Sequence, residues 1–176
     1  RGSLRPAPEG RRGRLWCMDV YYPPGSGLAA PEMLNSLSGL EFMQRLAAGT
    51  IPPPPIAITL GFGIASVERG KVTVTSRVGA HAYNPMGTIH GGYAATLLDT
   101  CMGCAVMTGV ERGYAYTTLE LKVNYLRALT HESGELRAIG RTLHVGRRSA
   151  LAEGQVLDAA DRLIAHGTTT CLIYAR

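Results

Sequence analysis

The chain has few cysteines and no long apolar run of the kind that spans a membrane. Cysteine occupies only positions 17, 101, 104 and 171 of the 176 residues. Cysteines this few and this scattered do not make a disulfide framework, so a reducing compartment, the cytoplasm, is expected. The pair Cys101 and Cys104 has the spacing of a redox or metal motif. Because no second such pair and no histidine pair lies nearby, we predict that both are small packing residues.

Charged residues are also sparse. Lysine and arginine number 18 and aspartate and glutamate 13, a net charge of +5 that is not concentrated in one stripe. This distribution disfavours nucleic acid and is compatible with a phosphorylated small molecule. The N-terminus is basic, but no apolar core of about seven residues follows, so no signal peptide is expected. We predict no membrane partner.

The remaining pattern is organised around residues 84–108. Asn84 opens a turn-forming loop, and Gly91 and Gly92 allow a sharp turn and a close approach to a ligand. An apolar helix of about 17 residues follows, too short and too broken to span a bilayer. Its one charge is Asp99. A helix that is apolar on nearly all sides is buried, and a buried unpaired carboxylate costs several kcal/mol. Asp99 is therefore either hydrogen-bonded for structure or catalytic.

The rest of the chain reads as one α+β domain, residues 39–176, behind a partly flexible N-terminal extension, residues 1–38. Ser38 and Glu41 form a capping box for a helix at 39–48. Proline-rich residues 50–55 predict a stiff extended connector. Alternating apolar residues predict strands at 56–68, 71–78, 114–127, 134–145, 149–158 and 163–174. In the third of these, one face is predicted to carry Leu119, Leu121, Val123 and Tyr125.

Three segments together resemble a known family. They are Asn84-Pro-Met-Gly-Thr-Ile-His-Gly-Gly92 with Leu97-Leu-Asp99, then Thr118–Arg127, then Ala165–Ile173. This combination is similar to the hotdog-fold acyl-CoA thioesterases of the phenylacetate-degradation (PaaI) type. The resemblance covers residues 39–174. It implies a long central helix wrapped by a curved antiparallel sheet of five to six strands. It also implies a homodimer with a continuous sheet, often paired into a homotetramer, and acyl-CoA as the substrate.

The resemblance also implies the site residues. Asp99 supplies the carboxylate and Gly91 the N–H that binds the thioester oxygen, with Asn84 and His90 on the Gly91 side. Thr118 accompanies Asp99 and helps to hold the water. Other readings stay open: Asn84 as a turn residue, His90 as a helix cap or loop brace, and Thr117 in place of Thr118.

Helix geometry adds one constraint from the residues alone. The backbone N–H of Gly91 has no partner within a helix that begins there, and it lies at the positive end of the helix dipole. Asp99 lies eight residues further on, about 12 Å along the axis. One chain cannot easily place both groups on one carbonyl. Two antiparallel helices related by a two-fold axis can, which agrees with the shared sites that the resemblance implies.

Coenzyme A, as part of the substrate, needs its own contacts, and no separate cofactor is expected. The turn Gly146-Arg147-Arg148-Ser149 offers guanidinium groups to its phosphates, although a solvated hairpin turn explains it almost as well. The remaining histidines have no other potential metal ligands at a suitable spacing in the sequence, so no metal site is predicted. Two other functions stay open beside thioester hydrolysis. One is a hotdog hydratase or dehydratase, and the other is a non-catalytic acyl-CoA-binding module.

Overall fold

The structure, a computed structural model, describes residues 23–176, so Cys17 and the basic N-terminal stretch lie outside it. The helices are α1 (Pro31–Ser36), α2 (Gly39–Ala47), α3 (Pro55–Leu60) and α4 (Gly91–Met107). The strands are β1 (Phe62–Glu68), β2 (Lys71–Arg77), β3 (Tyr114–Tyr125), β4 (Glu135–Val145), β5 (Ser149–Leu157) and β6 (Leu163–Ala175). No helix within residues 23–176 is long and apolar enough to cross a bilayer.

All six strands join one antiparallel sheet in the order β1-β2-β4-β5-β6-β3. Helix α4 packs on one face of this sheet and touches every strand. The predicted succession of two strands, one long helix and four strands is confirmed, and the architecture is the hotdog fold. Strands β1 and β3 form the two edges.

The predicted helix at 39–48 is confirmed as α2. The side chain of Glu41 accepts a hydrogen bond from the Ser38 N–H at 2.8 Å, and Ser38 Oγ accepts one from the Glu41 N–H, so the capping box is complete. Gly39 begins the helix against the C-terminal end of α4. A Cβ at this position would overlap the Met107 carbonyl, so only glycine permits this contact.

The strand predicted at 56–68 is wrong in its first half. Residues Pro55–Leu60 form α3, and β1 starts at Phe62. Proline is favourable at the first position of a helix because its missing N–H would have no partner there. Gly61 then ends the helix in the left-handed conformation, with φ of 67°. The extended connector therefore stops at Pro54.

A row of three glycines brings α4 close to the sheet. Gly140, Gly154 and Gly167 are paired across β4, β5 and β6, and all three are buried. A Cβ on Gly140 would overlap the Cys101 carbonyl, and one on Gly154 would lie 2.8 Å from the Met102 side chain. The helix therefore rests on backbone rather than on side chains at the centre of the sheet.

A β-bulge in the middle of β3 changes which residues face α4, so the face predicted for this strand is wrong at Leu119. The pairing with β6 shifts between Thr118 and Glu120, so Leu119 is an extra residue in a β-bulge. Because side chains alternate along a strand, the extra residue reverses the alternation. Leu119 consequently points away from α4 and is 62% exposed. Leu121 and Val123 pack in the core, as predicted.

Helix α4 is buried on one side only. Its buried residues make contact with the sheet and with α2, and they include Leu97, Leu98, Cys101, Met102 and Val106. A second face stays partly exposed in the single chain and carries Gly92, Ala95, Thr96, Asp99, Thr100 and Cys104. We call these six residues the open face of α4. The prediction of a helix buried all round is therefore wrong for this chain taken alone.

The glycine row gives a stability prediction. We expect Gly140→Ala to lower the free energy of unfolding by about 1–3 kcal/mol or more, because overpacking forces α4 away from the sheet. Urea unfolding followed by circular dichroism measures this change. Gly63→Ala in β1 is the matched control, since a Cβ there meets no atom within 4 Å. Equal stability of the two variants would contradict the role of the glycine row.

Candidate active site

Asp99 lies in the middle of the open face of α4 and is half-buried. Thr118 Oγ1 on β3 donates a hydrogen bond to Asp99 Oδ1 at 2.9 Å. No donor among residues 23–176 reaches Oδ2, and no side-chain oxygen in that part of the chain is buried without a partner. Oδ2 is therefore accessible. The carboxylate is held through one oxygen and offers the other.

Asp158 shows what a carboxylate with a structural role looks like in this fold. Its side chain is fully buried and accepts hydrogen bonds from the N–H groups of Ala160 and Arg162, at 3.0 and 2.9 Å. The Arg162 guanidinium donates to Oδ2 at 2.7 Å. Burial acts to raise the pKa of Asp158, but the hydrogen bonds from Arg162 and Ala160 outweigh it and lower the pKa. Asp99 has no comparable set of donors among the described residues, so a purely structural role explains it poorly.

The structure separates Thr117 from Thr118. Thr118 faces α4 and bonds Asp99, whereas Thr117 is exposed on the opposite face of β3. Alternation predicted Thr117 on the apolar face with Leu119, and this is wrong, because the structure exposes both residues on the side of β3 away from the helix. The partner of Asp99 within the chain is thus Thr118.

Asn84 organises the loop before α4. Its Oδ1 accepts hydrogen bonds from the N–H groups of Met86 and Thr88, at 2.9 and 3.3 Å. Its Nδ2 donates to Thr88 Oγ1 at 2.8 Å. Gly87 completes the turn with φ of 81°. The side chain of Asn84 is thus committed to the turn, which is one of the two roles the sequence left open.

His90 caps α4. Its Nδ1 accepts a hydrogen bond from the Gly92 N–H at 2.9 Å, so the ring is oriented by the helix N-terminus. The N–H of Gly91 has no acceptor among residues 23–176. Tyr125 Oη donates to the Gly91 carbonyl at 3.0 Å and fixes this end of the helix. Tyr125 was not among the predicted site residues, although it was predicted to share a face of β3 with Leu121 and Val123.

The loop and the start of α4 open into a cavity of about 300 Å³. Asn84, His90, Gly91 and Tyr125 all line it. Asp99 does not, because it lies about 12 Å further along the helix. The structure thus brings the predicted residues together as two groups within one chain, a loop group and the pair Asp99 and Thr118.

The predicted coenzyme A turn connects β4 and β5. The Gly146 N–H donates to the Ser149 carbonyl at 2.9 Å, and the Ile173 N–H donates to the Arg148 carbonyl at 3.0 Å, so β6 anchors the turn. Arg147 and Arg148 are both exposed. Within residues 23–176, neither guanidinium lies within salt-bridge distance of a carboxylate.

The cysteines of α4 are poor nucleophiles. Burial, together with the nearby Asp99 charge, raises the pKa of the Cys104 thiol to about 12. Burial also raises the pKa of Cys101 strongly. Thiolates are therefore disfavoured at neutral pH, and redox or metal chemistry at this pair is not supported.

Comparison with known proteins places the chain in a family. Residues 86–165 match the model of the thioesterase superfamily. The proofreading thioesterase EntH of Klebsiella pneumoniae is 32% identical over 103 residues, which make up 58% of this chain and 74% of the relative. The chain belongs to the thioesterase superfamily. The matched segment contains all of the predicted site residues except Asn84.

Other relatives agree with this membership. The 1,4-dihydroxy-2-naphthoyl-CoA hydrolase of Listeria monocytogenes is 26% identical over 106 residues, covering 60% of this chain and 85% of that protein. A solved structure of a putative thioesterase from Ralstonia eutropha, a phenylacetic acid degradation-related protein, superposes with a TM-score of 0.68. It is 28% identical, and the match covers 74% of this chain and 98% of that one. The protein is a thioester hydrolase.

The contact between Thr118 and Asp99 gives a prediction on activity. We expect Thr118→Val to lower the kcat of thioester hydrolysis roughly 10- to 100-fold, the equivalent of a hydrogen bond to a charged group. Thr117→Val is the matched control, because it makes the same change on the opposite face of β3. Steady-state kinetics of both variants on the same thioester measures the change in kcat. A larger loss of kcat in Thr117→Val than in Thr118→Val would contradict the assignment of Thr118 as the partner of Asp99.

Proposed function

We propose that the protein hydrolyses the thioester of an aryl- or fatty-acyl-CoA, as a PaaI-type thioesterase in the cytoplasm. Support comes from the loop and helix residues between Asn84 and Asp99 and from the Ralstonia neighbour described as related to phenylacetic acid degradation. The Listeria relative, a hydrolase of an aromatic acyl-CoA, also favours this substrate class.

One observation carries the proposal: Asp99 and the Gly91 N–H are both available, yet they lie too far apart to act on one carbonyl in one chain. The carboxylate offers Oδ2, and the Gly91 N–H has no acceptor among residues 23–176. Their separation along α4 is about 12 Å. A second copy with its α4 antiparallel to the first supplies the missing group on each side.

The sheet supports the same assembly. Strand β3 is an edge of 12 residues, and among residues 23–176 no strand lies beside its outer backbone groups. It runs beside the open face of α4, as the contact between Asp99 and Thr118 shows. Pairing of two β3 strands would bring two open faces together and create two sites in a homodimer. We propose that two such dimers form a homotetramer, as the family resemblance implies.

In this arrangement the thioester oxygen accepts a hydrogen bond from the Gly91 N–H at the positive end of one α4. The Asp99 carboxylate from the other copy either deprotonates a water held with Thr118 or itself attacks the carbonyl carbon. In the first case the water oxygen bonds the carbonyl carbon, the carbon–sulfur bond breaks, and the proton held by Asp99 passes to the departing coenzyme A thiolate. In the second case an anhydride with Asp99 forms as the coenzyme A thiolate leaves, and a water molecule then hydrolyses the anhydride to release the acid and restore the Asp99 carboxylate. His90 and Asn84 support the reaction by fixing the loop and the helix start.

We propose that Gly146, Arg147, Arg148 and Ser149 contact the phosphates of coenzyme A. Arginine suits this role because its planar fork matches phosphate geometry. The two unpaired guanidinium groups and the anchoring of the turn to β6 favour the assignment. Hydrolysis measured across a panel of aryl- and fatty-acyl-CoAs tests the proposed function. Hydration of an enoyl-CoA without hydrolysis of any acyl-CoA would overturn it.

The proposed role of Asp99 gives a prediction on turnover. We expect Asp99→Asn to keep the fold and the oligomeric state, because the amide oxygen still accepts from Thr118, and to lose at least about 100-fold in kcat. Single-turnover kinetics measures the loss, and size-exclusion chromatography checks the assembly. A kcat close to that of the wild type would remove Asp99 from the mechanism.

A further prediction concerns the Gly91 N–H. Proline is tolerated at the first helical position, and His90 already has the extended ψ of 135° that a following proline requires. Gly91→Pro therefore removes the N–H while retaining the helix, and we expect it to lower kcat about 100- to 1,000-fold. Gly91→Ala is the matched control, since it adds the same Cβ, 3.2 Å from the Tyr125 ring, but keeps the donor.

Mixing the two lesions tests whether the site is shared. A mixed dimer of Asp99→Asn and Gly91→Pro chains would contain one site with both lesions and one intact site. We expect co-refolding to restore activity toward half of the wild-type value per mixed dimer. Lack of recovery, with mixed dimers shown by native mass spectrometry, would rule out the shared site.

A further inference from the structure

A second cavity lies at the other end of α4, beyond its C-terminus. Its volume is about 460 Å³, larger than that of the cavity beside His90. Three turns build its wall: the β1–β2 turn with Gly70, the segment after α4 with Gly109, and the β4–β5 turn with Gly146. Each of these three segments contributes a glycine to the lining of the cavity.

The charges in this wall favour an anion. Arg69 comes from the β1–β2 turn and Arg147 from the β4–β5 turn, so two guanidinium groups approach the cavity from separate elements. Within residues 23–176, neither has a carboxylate at salt-bridge distance.

The cavity lies at a distance from Asp99 and Thr118 that the pantetheine arm of coenzyme A can span. Gly109 lies ten residues beyond Asp99, about 15 Å along the direction of α4. Tyr114, which lines the cavity, lies four residues before Thr118 on β3, about 14 Å away along the strand. The pantetheine arm of coenzyme A has a backbone about as long as four amino-acid residues and spans about 15 Å when extended. A thioester held at Asp99 can therefore place its phosphates in this cavity.

We infer that this cavity binds the phosphates of free coenzyme A and that Arg69 is a substrate-binding residue beside Arg147. The inference rests on the proposed function and adds Arg69, from a separate turn, to the residues that bind coenzyme A. Free coenzyme A carries a diphosphate and a 3′-phosphate, whereas the arm of a carrier protein carries a single phosphodiester. Guanidinium groups on two separate turns suit the ligand that has several phosphates. The substrate is thus a thioester of free coenzyme A rather than of a carrier protein.

Glu111 opposes this binding and so provides a test of opposite sign. It lines the same cavity, and the C-terminal end of α4 adds a partial negative charge. Neutralising Glu111 should strengthen phosphate binding, whereas neutralising Arg69 should weaken it. If the cavity holds no phosphate, neither substitution should change the binding of coenzyme A.

The experiment compares Arg69→Gln and Glu111→Gln on benzoyl-CoA, benzoyl-3′-dephospho-CoA and benzoyl-pantetheine. For benzoyl-CoA we expect KM to rise about tenfold or more in Arg69→Gln, as for loss of a hydrogen bond to a charged group, with kcat nearly unchanged. We expect KM to fall in Glu111→Gln. Neither variant should change KM for benzoyl-pantetheine, which has no phosphate. Calorimetry with coenzyme A alone should show the same two shifts in Kd.

Arg45→Gln is the matched control, because it removes one positive charge from an exposed position on α2. An unchanged KM for benzoyl-CoA in Arg69→Gln, with benzoyl-pantetheine still hydrolysed, would overturn the cavity assignment and leave the proposed function in place. An equal rise in KM for benzoyl-pantetheine would also overturn it, because a phosphate contact cannot affect a substrate without phosphate. Failure of the wild type to hydrolyse any of a panel of thioesters would overturn the proposed function and this inference with it.

Discussion

The fold depends on the close contact between α4 and the backbone of the sheet. Gly140, Gly154 and Gly167 form one row across three neighbouring strands, and α4 rests on that row at Cys101 and Met102. A Cβ on Gly140 or Gly154 would crowd α4 at Cys101 and Met102, so the helix could not lie this close to the sheet with larger residues there. The contact therefore fixes where Asp99 and the start of α4 lie relative to β3.

The same contact explains why one face of α4 stays open in the single chain. The sheet covers one side of α4 and leaves the open face, with Asp99, uncovered. Strand β3 is the edge strand that lies beside the open face. The sheet therefore ends next to the uncovered side of α4. The half-buried Asp99 carboxylate therefore lies beside a strand edge that no other strand among residues 23–176 covers. In the proposed dimer, pairing of two β3 strands would cover this edge and bring the Gly91 N–H of one copy toward the Asp99 carboxylate of the other.

Sequence patterns predicted the elements well where one local signal dominated. The capping box at Ser38 fixed the start of α2, and the apolar run fixed the extent of α4. Prediction failed where a single residue reversed a pattern. The alternation of Ile56 and Ile58 suggested a strand, but Pro55 and Gly61 delimit a helix. The extra residue at Leu119 reversed the facing of β3, and a register shift of this kind is set by the pairing with β6.

The sequence by itself determined the family resemblance, the one charge of α4 and the distance between Gly91 and Asp99, because these depend on residue order and on the constant rise of a helix. Only the tertiary structure decided that Thr118 rather than Thr117 bonds Asp99, and that Asn84 is committed to its own turn. It alone brought Arg69 and Arg147 to one cavity. The physical reason is that these contacts join residues far apart in the chain, and strand pairing and helix packing, not local preference, set which side chains meet.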